Sequence, residues 1–370
     1  MKKLFIINFL IIKVGRRKKL IPIIKPVFGK EEETTLLEII RSGQITRGRW
    51  TLKFKNSFKD YIGVAYCHPV CSGTAALYIS LKAIGINSKE DKVIVPAFSF
   101  MATIDAVILA GGTPIVVDVG EDYCIDVNQL ETAIEKYNPK AIIPVHLFGL
   151  PADMGRIKEL TEGTDIIVLE DAAQAHGAEY KGKKVGSLGD ISAFSFYASK
   201  NVAMGEGGAI LTNNPHIDDK ISNWIEFGNH PALNLRITEF QAGVGYWQLQ
   251  KLEDNNKKRR KIAQLYNEEF KDLPGLIIPQ EFEDRKHVYH IYALRHPKRD
   301  IIIEKLIEKG IGARVYYEYT LHQLRDAEHL NCEFSEQLTK EIFAIPVHPA
   351  LTDKEVDYII TTVKDVVNSV

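Results

Sequence analysis

The sequence predicts an α/β protein: a mostly parallel central sheet flanked by helices, followed by a smaller C-terminal α+β domain. Three observations carry this. Five short runs are β-branched and nearly all apolar, as strands buried on both faces require. Helical patterns lie between several of them, and strand–helix–strand alternation winds a parallel sheet. The chain has 370 residues, enough for about two domains and a sizeable core.

Residues 1–20 come first and stand apart. MKKLFIINFLIIKVGRRKK has a basic start, an apolar run from Leu4 to Ile12, and then a basic cluster. A spanning helix needs about 20 apolar residues, so the run is too short, and no stable membrane insertion is expected. No small-residue cleavage site follows it; Arg16, Arg17, Lys18 and Lys19 do. The segment reads as an N-terminal extension, an added strand or a loose arm. Weak attachment to anionic lipid is the alternative.

Residues 21–250 are expected to form the large domain. KVIVPAF (92–98), TPIVVDV (113–119), AIIPVHLFG (141–149), DIIVLED (165–171) and ISAFSFY (191–197) are the buried strands. TAALYISLKAIG, FMATIDAVILAGG, VNQLETAIEKY and MGRIKELTEG supply the helical patterns. From about residue 238, a long helical stretch runs on until Pro274-Gly275 stops it. VYHIYALRHP then reads as a strand, and IIIEKLIEKGI and TDKEVDYIITTVKDVV read as helices. Residues 251–370 are therefore expected to be the small domain.

Composition narrows the function. Lys plus Arg number 47 against 48 Asp plus Glu, a formal charge of −1, so nucleic acid is not the expected partner. The basic run from Lys257 to Lys261 reads as a solvated face of the long helix, with no interleaved aromatics. Four cysteines (Cys67, Cys71, Cys124, Cys332) are too few for a disulfide scaffold. CHPVC could offer a metal Cys67, His68 and Cys71, but a second ligand pair is missing, so buried thiols are expected.

Ligands of open parallel sheets bind beyond the carboxyl ends of the strands, and three segments put reactive residues there. Ser72-Gly73-Thr74 opens a helix, which suits either an anion site or an ordinary N-cap. LEDAAQAHG places Glu170 and Asp171 at a strand end, ahead of Gln174 and His176. An acid at that position is either functional or a cap. Lys200 follows a buried strand and precedes Gly205-Glu206-Gly207-Gly208. It is either a snorkelling surface lysine or a desolvated nucleophile able to form a Schiff base.

From about Ile21 onward, these stretches together resemble the pyridoxal-phosphate-dependent sugar-nucleotide aminotransferases, the DegT/DnrJ/StrS group of fold type I. CSGTAAL, VPAFSFMATIDAVILAGGTPIVVDV, IPVHLFG, LEDAAQAHGA, GDISAFSFYASKNVAMGEGGAI, NLRITEFQAGVGYWQL and IPVHPALTDKEV carry the likeness in order. The resemblance implies pyridoxal 5'-phosphate as cofactor, with Lys200 as its Schiff-base lysine and acid–base group. It places Asp171 against the pyridine nitrogen, Gln174 at the ring hydroxyl and Phe100 on the ring face. Gly73, Thr74 and Ser195 would hold the phosphate, helped by Asn234 from the other subunit of a homodimer. Glu206 matches the glycine-rich turn without an assigned role, and His146 is expected near the sheet edge rather than as a proton carrier.

The implied reaction moves an amino group from L-glutamate to a ketone on a nucleotide-linked sugar, in the cytoplasm. Tyr316, Tyr317 and His322 lie in the loop expected to approach the sugar. A dehydratase of the same fold is the alternative, although that branch replaces the Schiff-base lysine with histidine. A cofactor-binding regulatory protein without turnover is another.

Overall fold

The computed structural model describes residues 20–226 and 232–370. The expectation for the N-terminal extension therefore lies, apart from Leu20, outside the described residues. Two helices open the fold, α1 (Lys30–Ser42) and α2 (Arg49–Ile62). Alternation follows: β1 (Tyr66–Val70), α3 (Gly73–Ala83), β2 (Lys92–Pro96), α4 (Ala102–Ala110), β3 (Thr113–Val117), α5 (Val127–Tyr137), β4 (Ala141–Ile142), α6 (Met154–Thr161) and β5 (Ile167–Asp171). Next come β6 (Glu179–Tyr180), β7 (Lys183–Lys184), β8 (Ile191–Ser195), β9 (Gly208–Thr212), α7 (Pro215–Ile225), α8 (Glu239–Gln250) and α9 (Leu252–Phe270). The chain closes with β10 (Arg285–Lys286), β11 (Tyr292–Arg295), α10 (Arg299–Glu308), α11 (Leu321–Leu324), β12 (Glu328–His329), α12 (Glu333–Glu341), β13 (Ile342–Ile345) and α13 (Asp353–Asn368).

Eight strands form the central sheet in the order β1-β9-β8-β5-β4-β2-β3-β12. Every pairing from β8 to β12 is parallel, and β9 is antiparallel to both its neighbours. The mostly parallel sheet expected from the apolar runs is therefore present. Side-chain alternation divides its two faces. Val93 and Val95 pack towards the layer containing α3 and α4, whereas Ile94 between them packs towards α5 and α6. Among the described residues, no helix is long and apolar enough to cross a membrane.

Some expected elements come out differently. AIIPVHLFG forms a ladder only at Ala141–Ile142, with one further bridge between Val145 and Asp171. Pro144 has no N–H to donate, and a 3₁₀ turn at Leu147–Gly149 replaces the rest of the strand. The long helix after residue 238 is two helices that meet at Lys251. Arg259 leaves the solvated face expected of its basic run. It shares the buried side of α9 with Leu252, Asn256 and Ala263, and its guanidinium reaches the Tyr289 and Val347 carbonyls at 3.4 and 3.5 Å. A separate C-terminal core joins Tyr266, Phe270, Tyr292, Leu294, Phe343 and Ile359, and Ile21 belongs to it. Ile21 bonds through its backbone to Gly310 and Gly312, at 2.9 and 2.8 Å.

Candidate active site

The sheet order brings the three reactive segments to one edge. Strands β2, β4, β5 and β8 run parallel, so the chain leaves all of them on the same side. Strand β1 also leaves there, because two successive antiparallel pairings restore its direction relative to β8. Phe100, His146, Lys200 and Gly73 follow those strand ends, and Asp171 is the last residue of β5.

At the end of β1, Ser72 caps α3: its Oγ accepts from the Ala75 N–H at 3.1 Å and its carbonyl from Ala76 at 3.0 Å. The N-cap reading of Ser72 is thus correct, and it leaves the anion reading to its neighbours. The N–H groups of Gly73 and Thr74 lie in the first turn, where the helix offers no acceptor. Gly73 faces Ser195 at the end of β8, and a β-carbon on the glycine would stand 2.7 Å from the serine's. Only a residue without that carbon lets the helix start come so near the strand.

Asp171 ends β5 and is 5% exposed. The Thr103 hydroxyl donates to its Oδ2 at 3.0 Å, and the Ala173 N–H to its Oδ1 at 3.2 Å. Burial pushes this carboxyl up, against those two donors and the charge of Lys200. Lys200 lies on the loop between β8 and β9, which is closed by the Phe196–Gly207 and Ala198–Gly205 backbone bonds at 2.8 and 2.9 Å. Desolvation lowers its ammonium to about 8, and Asp171 works in the other direction. The lysine is therefore no free surface cation. His176 is wholly buried between Phe194 and Phe196, with ring centroids 5.4 and 5.5 Å away. Burial, and then Lys200, lower its imidazolium to about 3, so the ring is neutral.

The other expected residues separate into those at this edge and those engaged elsewhere. Gln174 is held at both ends of its amide: the Phe148 N–H donates to Oε1 at 3.0 Å, and Nε2 donates to the Tyr317 hydroxyl at 3.0 Å. The Phe100 ring is 51% exposed and lies 6.2 Å from that of Tyr317. His146 is fully buried; its Nδ1 accepts from the Ala152 N–H, so Nε2 donates to Glu170 at 3.0 Å. Glu170 also accepts from the amides of Gly186, Leu188 and Gly189, so it is a structural anchor and no helix cap.

Asn234 is exposed, and it does not cap α8. Thr238 does so, accepting from Gln241. Its neighbour Leu235 accepts from the Cys71 N–H at 2.7 Å, beside the start of α3. Glu206 is exposed, and its carbonyl accepts from Gln241. Tyr316 stacks edge-on against Tyr317, but His322 turns away to Glu336 and His329. His68 is committed to Asp218 at 2.5 Å. Sequence reasoning missed Thr103 as the partner of Asp171; its place in FSFMATID gives no local sign of that contact.

Pyridoxal phosphate needs an amine of lowered proton affinity, a buried carboxylate for its ring nitrogen and an anion cradle. Lys200, Asp171 and the Gly73–Ser195 approach fit those needs. The DegT/DnrJ/EryC1/StrS aminotransferase family matches residues 26–364. The UDP-N-acetyl-3-dehydro-alpha-D-glucosamine 3-aminotransferase of Acidithiobacillus ferrooxidans is 36% identical, over 82% of this chain and 84% of that protein. The dTDP-3-amino-3,6-dideoxy-alpha-D-galactopyranose transaminase of Aneurinibacillus thermoaerophilus is 34% identical, over 91% and 95%. A crystal structure of a DegT DnrJ EryC1 StrS aminotransferase from Brucella abortus superposes with a TM-score of 0.86 at 31% identity, covering 90% of this chain and 95% of that one. With the family matched and relatives named as transaminases, the dehydratase alternative is not favoured. The chain belongs to the DegT/DnrJ/EryC1/StrS aminotransferase family, and it is a pyridoxal-phosphate-dependent aminotransferase.

Proposed function

We propose that the chain transfers the amino group of L-glutamate to a keto group on a nucleotide-linked sugar, in the cytoplasm and as a homodimer with shared sites. One observation carries the assignment of the site: the neighbouring parallel strands β5 and β8 bring buried Asp171 and the loop that carries the half-buried Lys200 to the same edge, where burial lowers the lysine's ammonium to about 8. Pyridoxal phosphate, when bound, supplies an electron sink for the bond broken at the amino-acid carbon.

The chain's own residues do the rest. Lys200 Nζ, whose ammonium burial lowers to about 8, would be the group that takes up and returns the proton of the donor carbon with the cofactor in place. Asp171, fixed by Thr103 and Ala173, would hold the cofactor's ring nitrogen in its protonated form. Gln174 presents a pre-oriented amide to the ring hydroxyl, and Phe100 offers its exposed face to the ring. Gly73 and Thr74 give N–H groups and Ser195 its hydroxyl to the phosphate. Asn234 adds a neutral donor from the second copy.

The test has two parts. Borohydride reduction followed by peptide mapping should place the cofactor adduct on Lys200; an adduct elsewhere, or none after reconstitution, overturns the residue assignment. A panel of keto-sugar nucleotides with glutamate should release 2-oxoglutarate for at least one member. Asp171→Asn should lower that rate at least 100-fold while the protein stays folded, because an amide cannot keep the ring nitrogen protonated.

A further inference from the structure

Behind Lys200 lies a set of buried polar side chains that the roles above leave unused. Asn201 follows it directly and is 5% exposed; Asn256 on α9 is 0% exposed, and His290, just before β11, is 5% exposed. Asn201 Nδ2 donates to Asn256 Oδ1 at 2.9 Å, and Asn256 Nδ2 donates to the His176 carbonyl at 2.8 Å. His290 Nδ1 meets Asn201 Oδ1 at 3.2 Å.

Chemistry dictates the direction of this chain. A backbone carbonyl only accepts, so Asn256 must turn its NH₂ to His176 and its oxygen to Asn201. Asn201 must then present its NH₂ to Asn256 and its oxygen to His290, which has to donate from Nδ1. Both amides are left with no choice of orientation. The linked elements are the Lys200 loop, α9, the segment leading into β11, and the turn after Asp171. Two parts of the chain that are distant in sequence, α9 and the segment leading into β11, thus bond directly to the residue next to the reactive amine.

We propose that His290, Asn201 and Asn256 form a one-directional relay of hydrogen bonds that positions Lys200. Each is a positioning residue, since none of their contacts is with the reacting atoms. A neutral relay suits this task, because a charged anchor in its place would itself perturb Lys200. The groups facing the amine from the surrounding elements are Asp171 from β5, His176 from the following turn, and His290. Arg259 on α9 faces His290. Burial drives His290 well below its ordinary value, and Lys200 then Arg259 add to this, so the ring stays in the neutral donor form that the relay needs.

The inference rests on Lys200 being the cofactor lysine, so its test does not use turnover. In the cofactor-free protein, competitive labelling with acetic anhydride across a pH series, read by peptide mass spectrometry, gives the titration midpoint of Lys200. The wild-type midpoint should lie near 8. His290→Phe and Asn256→Leu should each raise it by about one pH unit or more, cutting the reactive fraction at neutral pH about tenfold. His290→Asn keeps a donor where Nδ1 stood and should hold the midpoint at the wild-type value. An unchanged midpoint in folded His290→Phe and Asn256→Leu overturns the proposal. So does failure of both to fold, which would assign the relay to the scaffold alone. If the cofactor instead maps to another lysine, the residue assignment falls, whatever these midpoints show.

Discussion

Gly73 at the start of α3 and Ser195 at the end of β8 approach so closely that a glycine β-carbon would stand 2.7 Å from the serine's. Real β-carbons do not come that near, so any side chain at 73 must push the helix start off the strand. Gly73→Ala should destabilise the cofactor-free protein by about 1–3 kcal/mol, as overpacking does. It should also weaken pyridoxal phosphate binding at least tenfold, read by absorbance titration. Alanine tolerated with unchanged affinity would show that the phosphate does not use this approach.

Lys200 illustrates a site that costs stability. Its folded value lies at about 8, below the 10.5 of an ordinary lysine, so the unfolded chain binds the proton more tightly. The cost is complete below pH 8, and stability rises between pH 8 and 10.5 as the folded amine loses its proton first. Lys200→Met should therefore stabilise the cofactor-free protein at pH 7 by roughly 1–3 kcal/mol. The gain should fade by pH 10.5. Denaturant melts of both proteins across that range check this, and a gain that does not vary with pH would contradict it.

Glu239 makes the opposite contribution. From the start of α8 it accepts the amides of Gly48, Trp50 and Thr51 at 2.9, 2.8 and 2.9 Å, which satisfies the exposed N-terminus of α2. Burial alone would raise its carboxyl, yet the Thr51 side chain and these amides hold it below 4.5. Its stabilisation is thus present above pH 4.5 and is lost as pH falls through the lower folded value. Glu239→Ala should cost about 2–4 kcal/mol at neutral pH, measured by urea unfolding. A cost below 1 kcal/mol would mean that α2 is held by its packing alone.

Asn234 tests the shared site. Thr238 already caps α8, which frees the Asn234 side chain from that duty. Lys200→Ala chains and Asn234→Asp chains should each be inactive, the latter because the added charge repels phosphate. After subunit exchange, an equal mixture should recover about a quarter of wild-type activity, since half the dimers are mixed and each has one native site. If nothing is restored although exchange is complete, Asn234 serves its own chain.

Much of this architecture was legible in the sequence, for a physical reason. A strand buried on both faces must be apolar along its whole length, so β2, β3, β5 and β8 announce themselves. A parallel sheet must place its strand ends together, so Asp171, Lys200 and Phe100 could be expected at one edge without knowledge of any contact. Apolar composition reports burial, however, and not hydrogen bonding. The run around Pro144 is buried throughout yet builds a ladder of only two residues. The amphipathic α1 and α2 were not foreseen, because what defines them is packing on α8.

The sequence by itself determined the strand–helix alternation, the reactive residues at the strand ends and the family. Tertiary structure alone decided how those residues are held. The reversal of β9, the Gly73–Ser195 approach, the reach of Tyr317 to Gln174 and the relay behind Lys200 all join segments far apart in the chain. Local periodicity reflects interactions between residues a few positions apart. Contacts between segments far apart in the chain exist only once the sheet has brought its carboxyl ends to one edge.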